Sequence, residues 1–375
     1  MKILHISEVF MGGVGSYIQE VCRVQVAEFG AENIRVLGPA SALFHIPTLP
    51  DACLHGVEMG SRSAGAVLQL MRAARAEIRD YGPDIVHVHS SFAGLAVRLP
   101  YVPRTLIGKT SQRRFRLLYC PHGWSFDMTS SARSKSAFYA LIERCLAPTA
   151  DAILCVSENE RTSALKHGLS DNRLHVIRNS VATPSIDPTL ALPTIPNRLN
   201  LLFVGRFGAQ KGIDLLAQAA RCLPADRIHL HVIGGPLEET IEGRTASGLA
   251  GQQHVTLHGW VPRPVVLATI AACDAVVMPS RWEGMPMVAA EAMALGRPLL
   301  ASDIGPLAEI VKDGESGQLY ASNDAEALAA CLSTVTAEIL ARQGAAARKA
   351  FAKLFSVQDM TNGLIQLYER LRCEA

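Results

Sequence analysis

The chain alternates short runs of β-branched and apolar residues with longer amphipathic segments. In the first half, the short runs are Lys2–Ile6, Ile34–Leu37, Ile85–His89, Leu117–Cys120, Ala152–Val156 and His175–Ile177. The amphipathic segments between them include Ser16–Glu28, Ala64–Tyr81 and Arg133–Leu146. Buried parallel strands have nearly continuous apolar sequences, and helices cover both faces of such sheets. The pattern therefore predicts an α/β fold with a parallel sheet.

The alternation stops at Ala182–Asn197, which contains four prolines and no apolar period, as is typical of a linker. It then starts again, with strand-like runs at Leu201–Val204, Ile228–Ile233, Val255–His258, Ala275–Met278, Pro298–Ala301 and Gly317–Tyr320. We therefore predict two doubly wound, Rossmann-like domains at residues 1–183 and 198–355, joined by a linker at 184–197. Ligands of such sheets bind beyond the carboxyl ends of the strands, which predicts a site in a cleft between facing domains.

Composition agrees with two folded domains and excludes general disorder. Hydrophobic residues make up 49% and charged residues 19% of the 375 residues. The formal net charge is +2, so no global charge favours nucleic acid as a partner. The nine cysteines are scattered without a C-x-x-C spacing, which argues against zinc and against a disulfide framework.

The amino-terminal residues run directly into a predicted strand and do not have the pattern of a signal peptide. The sequence also lacks an apolar stretch of about 18 residues, the length that a membrane-spanning helix requires. We therefore expect a cytoplasmic protein, either soluble or peripheral on the inner face of the cytoplasmic membrane.

Two glutamates, Glu283 and Glu291, stand eight positions apart in the second series. Glu283 follows the strand-like run that ends at Met278, and Glu291 lies inside the helix predicted after it. The backbone at 285–288 would form the start of that helix, where N–H groups bind phosphates or sugar hydroxyls. Taken alone, the pair also fits two ordinary surface charges.

The surroundings of these glutamates resemble the E-x7-E signature of a known family, the retaining GT-B glycosyltransferases of family four (glycosyl transferases group 1). The segment begins Glu283-Gly284-Met285-Pro286 and continues through Glu291-Ala292 to Gly296 and Pro298. Further matches follow the family's order: Gly12-Gly13-Val14-Gly15, Gly205-Arg206 with Lys211-Gly212, Gly259-Trp260-Val261, and Asp313-Gly314 with Gly317. Exopolysaccharide and envelope-glycan enzymes are the members that the chain resembles.

The resemblance implies a GT-B fold in which the segment 356–375 packs back on the first domain. It also implies that Arg206 and Lys211 bind the diphosphate, that Glu291 binds the ribose hydroxyls and that Glu283 contacts the transferred sugar. Two cations on one diphosphate stabilise the departing charge without a metal, so we expect no metal and no cofactor. The remaining implied donor-binding positions are Gly13, Gly15, Gly234, Val261, Met285, Pro286, Met287 and Val288.

Histidines supply the other candidate chemistry. His122 follows a predicted strand and stands before a glycine, and the family has such a pair beside the transferred sugar. This implies a catalytic positioning role for His122, with a structural histidine as the alternative. His87 and His89 have a spacing that suits a metal, but no acidic residue lies between Ile85 and Phe126, which favours packing roles.

The segment 98–116 carries positive charge with no Asp or Glu. Its cations are Arg98, Arg104, Lys109, Arg113, Arg114 and Arg116. We interpret Arg113, Arg114 and Arg116 as candidate contacts to a membrane surface or a polyprenyl diphosphate, at about 1 kcal/mol per basic residue near an anionic surface. A solvated loop is the alternative.

The sequence thus predicts a metal-independent, retaining hexosyltransferase that uses a GDP- or UDP-sugar. The expected acceptor is a hydroxyl of a glycan or of a polyprenyl-diphosphate-linked oligosaccharide, in exopolysaccharide or envelope-glycan synthesis. A soluble acceptor is the nearest alternative. A GT-B-fold epimerase or hydrolase and a non-catalytic binding module are alternatives of other classes. A dinucleotide enzyme is disfavoured because the third glycine of G-x-G-x-x-G is missing after Gly13.

Overall fold

The computed structural model describes residues 1–10, 12–46, 49–60, 63–103, 113–128, 133–236 and 248–373. These residues divide into two compact units. The first unit comprises the described residues of Met1–Asp127, Ser131–Ser180 and Val357–Ala375, and the second comprises Met128 and those of Val181–Ser356. In the described part of the chain, no helix is both long enough and apolar enough to cross a membrane.

The first unit is built on a parallel sheet whose described strands have the order β3-β2-β1-β4-β5-β6-β7. The strands are β1 Ile3–Ile6, β2 Ile34–Pro39, β3 Leu54–Val57, β4 Ile85–His89, β5 Arg116–Cys120, β6 Ala152–Cys155 and β7 Leu174–Val176. Strand β1 lies between β2 and β4, with Ile3 opposite both Ile34 and Ile85. The winding direction therefore reverses at β1, and parallel α/β sheets bind ligands at such a reversal.

Helices cover this sheet. They are α1 Gly13–Phe29, α2 Ala64–Tyr81, α3 Ser91–Arg98, α4 Arg133–Leu146, α5 Glu158–Lys166 and, at the other end of the chain, the C-terminal helix Val357–Cys373. Helix α2 begins at Ser63, whose side chain accepts a hydrogen bond from the Ala66 N–H, and it ends at Gly82 in the left-handed conformation. The C-terminal helix belongs to the first unit, where Met360 Sδ accepts a hydrogen bond from the Ser180 N–H at 3.2 Å.

The second unit contains a parallel sheet whose described strands have the order β10-β9-β8-β11-β12-β13. These strands are β8 Leu199–Val204, β9 Ile228–Ile233, β10 Val255–Gly259, β11 Ala275–Met278, β12 Leu299–Ser302 and β13 Gly317–Tyr320. The helices are α6 Ile213–Ala220, α7 Arg263–Ala272, α8 Met287–Ala294, α9 Gly305–Ala308, α10 Ala325–Thr334 and α11 Ala337–Leu354. Here the winding direction reverses at β8, which pairs with both β9 and β11.

The predicted α/β fold with parallel sheets is confirmed, and each predicted strand overlaps an observed one. One observed strand, β3, was not predicted from the sequence pattern. It lies at the edge of its sheet, paired with β2, and none of its four residues is buried. An edge strand of this kind needs no continuous apolar run, so hydrophobic patterning did not identify it.

The segment predicted as a linker, 184–197, is attached to the second unit by hydrogen bonds. The Leu192 N–H donates to Thr269 Oγ1 at 3.1 Å, and the Ile195 N–H donates to Asn200 Oδ1 at 2.7 Å. A short 3₁₀ turn forms at Pro188–Leu190, where Asp187 caps the first turn. The proline-rich composition therefore marks an irregular segment that is anchored at its carboxyl-terminal half.

Candidate active site

In the second unit, the loops after β8 and β11 bring Lys211 and Glu283 into contact. The Lys211 Nζ lies 2.5 Å from Glu283 Oε1, and the Ser280 hydroxyl donates to the same oxygen at 2.7 Å. The Glu283 side chain is only 6% exposed, whereas that of Lys211 is 19% exposed. A carboxylate buried to this degree requires a charged partner and hydrogen bonds. Lys211 and Ser280 supply both.

Glycines allow these loops to approach each other closely. Gly212 has φ +63, and a Cβ atom at this position would lie 1.9 Å from the carbonyl oxygen of Pro279. Gly234 has φ +127, and a Cβ atom there would lie 1.9 Å from the carbonyl oxygen of Gly205. Because a side chain at either position would collide with backbone, these contacts between loops require glycine.

An arginine–aspartate pair braces the same two loops. The guanidinium of Arg281 donates to Asp214 Oδ1 at 2.7 Å and to the Ala209 carbonyl at 2.9 Å. Burial raises the pKa of Asp214, but the hydrogen bonds and positive charge of Arg281 outweigh burial and hold that pKa below its usual value. Sequence reasoning missed this brace, although Arg281 stands two positions before Glu283.

Arg206 lies beside this cluster and is exposed to solvent. Its Nη2 donates to Gln210 Oε1 at 3.3 Å, and Gln210 Nε2 donates to the Trp282 carbonyl at 3.2 Å. Gln210, which the sequence analysis did not select, therefore connects Arg206 to the loop that carries Glu283. The structure places both predicted diphosphate ligands, Arg206 and Lys211, in the loop that follows β8.

Glu291 is buried in α8, with 4% of its surface exposed. Arg263, at the start of α7, places Nη2 2.7 Å from Glu291 Oε1. Sequence reasoning missed Arg263, which stands two positions after Val261. The helix begins at Met287 with Pro286 as its N-cap, so the helix N-terminus consists of Met287 and Val288 rather than the whole range 285–288.

The remaining donor candidates lie at the same edge of the second sheet. Gly234 follows β9 and donates its N–H to the Gly259 carbonyl at 2.8 Å. Val261 follows β10, after Trp260, whose indole is 52% exposed. A Cβ atom on Gly235 would lie 2.8 Å from Trp260 Nε1, so the indole packs directly on the backbone after Gly234. Loops after β8, β9, β10 and β11 thus carry the predicted residues to one edge, because parallel strands end there together.

In the first unit, the glycine loop follows β1 and opens α1. Gly12 is the N-cap with φ +75, and Gly13 is exposed at the first helical position. A Cβ atom on Gly15 would lie 1.7 Å from the carbonyl oxygen of Phe10. Gly15 is therefore required where the first turn of α1 approaches the Phe10 carbonyl in the loop after β1, whereas Gly13 is exposed to solvent.

His122 lies in a strained turn after β5. Its φ of 53 is in the left-handed region, and Gly123 follows with φ 107. The buried Glu160 holds this turn: Oε1 accepts a hydrogen bond from the Gly123 N–H at 2.5 Å, and its carbonyl accepts one from Trp124 Nε1 at 2.8 Å. The same carboxylate accepts a hydrogen bond from the Val156 N–H at 2.6 Å. Sequence reasoning missed Glu160.

A buried chain of hydrogen bonds extends from His122 into the core of the first unit. His122 Nε2 lies 3.0 Å from His89 Nδ1, and His89 Nε2 lies 3.0 Å from His5 Nδ1. His5 Nε2 lies 2.7 Å from Gln25 Oε1. Burial lowers the pKa of His122 to about 3, and it lowers the pKa of His5 to about 4 despite the Gln25 hydrogen bond. These imidazoles are therefore neutral near pH 7.

His87 and His89 pack in the core and also make side-chain hydrogen bonds. Both side chains are fully buried, as packing predicts. Their hydrogen-bond partners could not be predicted from local sequence, since His5 and Tyr368 lie far away in the chain. Among the described residues, two groups place possible metal-ligand atoms within 4.8 Å of one another: His5, His87 and His89, and His89, Cys120 and His122.

The interpretation of segment 98–116 as unopposed positive charge is wrong for three of its arginines. Arg98 is fully buried and pairs with Glu143 at 2.8 Å. Arg113 and Arg116 pair with Asp151 at 2.7 and 3.4 Å, and the Arg113 side chain is only 3% exposed. The neutralising carboxylates come from later elements, which a local charge count does not reveal.

The other three cations of that segment are Arg104, Lys109 and Arg114. Arg114 is exposed, so it is the described member that faces solvent. Arg104 and Lys109 lie outside the described residues. Contact of this segment with a membrane or an acceptor stays a prediction, for which the exposed Arg114 is the described candidate and the nearly buried Arg113 is the least suited.

Family models match both halves of the chain. Residues 12–180 match the model described as "Glycosyl transferase 4-like domain", and residues 198–338 match the model described as "Glycosyl transferases group 1". The chain is also 28% identical to an uncharacterised 41.2-kDa protein in the cps region of Klebsiella pneumoniae, over 98% of this chain and 99% of the relative. It is 26% identical to the alpha-maltose-1-phosphate synthase of Mycolicibacterium smegmatis, over 96% of each chain.

Solved structures share the fold over essentially the whole chain. Sucrose-phosphate synthase from Thermosynechococcus elongatus superposes with a TM-score of 0.80 at 20% identity, covering 100% of both chains. Anabaena HepE in complex with UDP and glucose superposes with a TM-score of 0.73 at 19% identity, covering 99% of this chain and 100% of that one. The predicted GT-B fold class is confirmed by these likenesses.

Proposed function

The chain belongs to the glycosyl transferases of group 1, and on that basis we propose that it is a retaining hexosyltransferase that uses a nucleotide diphosphate sugar. Transferase chemistry with a nucleotide-sugar donor follows from the family. The finer parts of the proposal are retention of anomeric configuration, a hexose as the transferred sugar, and independence of metal ions.

The ion pair of Lys211 with Glu283 is the observation that carries the proposal. Negative charge develops on the diphosphate as the sugar departs, and preorganised cations stabilise that charge most effectively where water is restricted. Glu283 and the loop contacts hold Lys211 at a fixed position, with 19% of its side chain exposed to solvent. Arg206 adds a second, exposed guanidinium in the same loop, and a guanidinium suits bidentate contact with phosphate.

Glu291 and Arg263 support binding of the ribose. A carboxylate presents two oxygens, and Arg263 occupies Oε1 of Glu291 at 2.7 Å. This ion pair orients the buried carboxylate so that it can accept hydrogen bonds from two adjacent ribose hydroxyls. In this proposal Arg263 orients Glu291, and Glu283 contacts the sugar that is transferred.

We propose a glycan acceptor in polysaccharide synthesis, with a lipid-linked oligosaccharide as its leading form. The relative from the cps region of Klebsiella pneumoniae supports this choice because it is similar over nearly its whole length. A lipid-linked acceptor would bring the protein to the inner membrane surface as a peripheral enzyme. The relative named alpha-maltose-1-phosphate synthase favours a soluble acceptor instead, and this is the second candidate.

Thermal shift measurements with UDP, GDP, ADP and their sugars test the donor class. A ligand held at 100 times its Kd stabilises the protein by about 2.7 kcal/mol, which such measurements detect. We expect UDP or GDP and their sugars to stabilise the wild type, and Arg206→Ala to lose most of that stabilisation. EDTA is expected to leave both binding and turnover unchanged. Loss of turnover on chelation would reject metal independence, and stabilisation by ADP alone would reject the proposed donors.

A further inference from the structure

The four residues Gln25, His5, His89 and His122 form one continuous line of side-chain hydrogen bonds. The successive separations are 2.7 Å from Gln25 Oε1 to His5 Nε2, then 3.0 Å from His5 Nδ1 to His89 Nε2 and 3.0 Å from His89 Nδ1 to His122 Nε2. Gln25 lies on α1, His5 on β1 and His89 at the end of β4. Gln25, His5 and His89 are buried, while His122 is partly exposed at the strand end.

The donor and the acceptor of each hydrogen bond in this line follow from Gln25, the first member. A carboxamide oxygen only accepts hydrogen bonds, so His5 Nε2 must carry a proton and donate to Gln25. In a neutral imidazole the other nitrogen is then an acceptor, so His5 Nδ1 accepts from the protonated Nε2 of His89. By the same step, His89 Nδ1 accepts from the protonated Nε2 of His122. His122 is left with an unprotonated Nδ1.

Tyr368 of the C-terminal helix sets the orientation of the Gln25 amide. Gln25 Nε2 donates to the Tyr368 hydroxyl oxygen at 3.3 Å, and that hydroxyl lies 2.8 Å from His87 Nδ1. In this amide orientation the Tyr368 oxygen accepts from Gln25 Nε2, its hydroxyl proton is available to His87 Nδ1, and Gln25 Oε1 faces His5. The contact links the C-terminal helix to the Gln25 end of the line.

The surroundings keep the histidines neutral and leave the line without a competing partner. Tyr17 packs its ring edge against His122, with centroids 4.8 Å apart, and no acidic side chain hydrogen-bonds to His5, His89 or His122 among the described residues. Both ring nitrogens of His5 and both of His89 are already in hydrogen bonds of this line, so neither histidine has a free lone pair for a metal. For His122 Nδ1, no hydrogen-bond partner is found in the described part of the protein.

We propose that Gln25, His5 and His89 are positioning residues that hold His122 as the Nε2-protonated tautomer and leave its Nδ1 as a hydrogen-bond acceptor. A sugar or acceptor hydroxyl is the ligand that this acceptor fits, and this part rests on the proposed function. His122 then orients a hydroxyl by accepting its proton in a hydrogen bond, and it does not act as a proton donor or as a cation.

Two-bond ¹H–¹⁵N NMR correlation spectra of the ¹⁵N-labelled wild-type protein test the tautomer directly. Protonated and unprotonated ring nitrogens have well-separated ¹⁵N shifts, and a His122→Gln variant identifies the His122 signals by their loss. Near pH 7 we expect a protonated Nε2 and an unprotonated Nδ1 for His122. A protonated Nδ1, or an imidazolium, would overturn the proposal, and this measurement requires no other variant to fold.

Variants at the far end of the line test whether it acts on His122. Gln25→Met removes the fixed acceptor, and Tyr368→Phe removes the group that orients the Gln25 amide. Both are expected to convert the single His122 tautomer into a mixture. Gln343→Met is the matched control, because Gln343 is a buried helical glutamine of the second unit. An unchanged His122 spectrum in a folded Gln25→Met protein would show that the line of hydrogen bonds does not determine the His122 tautomer.

Activity measurements separate this inference from the proposed function. We expect Gln25→Met to lower kcat by about tenfold with little change in donor KM, by analogy with the loss that follows removal of a group that orients a metal-ligating histidine. Absence of transferase activity in the wild type would reject the proposed function, while the NMR result still decides the tautomer. A tenfold rise in donor KM with an unchanged kcat would instead reject a positioning role that acts through His122.

Discussion

Lys211 and Glu283 are 72 positions apart in the chain, yet Lys211 Nζ lies 2.5 Å from Glu283 Oε1. The pair forms because Gly212 permits the turn after β8 to touch Pro279 at the end of β11. The glycine-dependent contact between these two loops therefore holds a cation and a carboxylate together at the edge of the sheet where we propose that the donor binds.

Lys211→Met tests the ion pair. The variant leaves the carboxylate of Glu283 nearly buried without its cation, which should lower the free energy of unfolding by about 1–3 kcal/mol. It also removes a preorganised charge, so turnover should fall by about 10²–10³. Lys312→Met is the control, since Lys312 and Glu315 are 74% and 59% exposed and such pairs contribute less than about 1 kcal/mol. Urea unfolding and donor turnover measure both effects, and wild-type turnover in Lys211→Met would contradict the proposed role.

Glu283→Ala and Glu291→Ala should impair the enzyme in different ways. Contacts to the ribose exist in both ground and transition states, so Glu291→Ala should mainly raise the donor KM. Contacts to the transferred sugar change during the reaction, so Glu283→Ala should mainly lower kcat. Arg263→Ala should reproduce the Glu291→Ala result, because Arg263 orients that carboxylate. Steady-state kinetics with varied donor distinguish these outcomes, and an increase in KM alone for all three variants would argue against the division.

Gly212→Ala should be strongly destabilising, whereas Gly208→Ala in the same turn should be tolerated. The left-handed conformation alone costs a residue with a Cβ about 1–2 kcal/mol, and the overlap with the Pro279 carbonyl adds to this cost. Gly208 has open space around the corresponding position. Differences in urea midpoint between the two variants provide the measurement. Equal stability of both variants would show that the close approach of the loops is not required.

Stability should fall in acid because buried histidines stay neutral in the folded state. The pKa of His5 falls from 6.5 to about 4 on burial, so the unfolded chain binds the proton first as the pH decreases. This contribution is fully present above about pH 6.5 and is lost as the pH falls toward 4, at about 1.4 kcal/mol per pH unit for each such histidine. Unfolding free energies between about pH 7.5 and about pH 5.5 measure the slope. His5→Gln should reduce this slope, and an unchanged slope in a folded His5→Gln protein would contradict the prediction.

The substitutions Arg113→Ser and Arg114→Ser are at adjacent positions, but we expect the first to reduce stability and the second to reduce vesicle binding. Arg113 pairs with Asp151 and is nearly buried, so its loss should lower the free energy of unfolding by about 1–3 kcal/mol. Arg114 is exposed, and its loss should change stability by less than about 0.5 kcal/mol. Sedimentation with anionic vesicles completes the comparison: any charge-dependent binding should weaken in Arg114→Ser. Loss of vesicle binding in a fully stable Arg113→Ser protein would instead support a membrane contact by Arg113.

Much of the fold could be predicted because buried parallel strands have short apolar runs and the helices that cover them are amphipathic. Strands such as β4 and β9 are buried along their whole length, so their apolar runs were recognisable from local sequence. Strand β3 lies at an edge and lacks that signal. The loops that carry Lys211 and Glu283 were also predictable, because each follows a recognisable strand and parallel strands end at a common edge.

The amino-acid sequence by itself determined the two βα series, the strand-end positions of Arg206, Lys211 and Glu283, and the resemblance to one family. Only the tertiary structure decided which charges meet. It paired Arg98 with Glu143 and Arg113 with Asp151, and it aligned His5 with His89. The reason is physical: periodicity reports local burial, whereas ion pairs and hydrogen bonds join side chains that are distant in the chain and adjacent only after the strands have assembled.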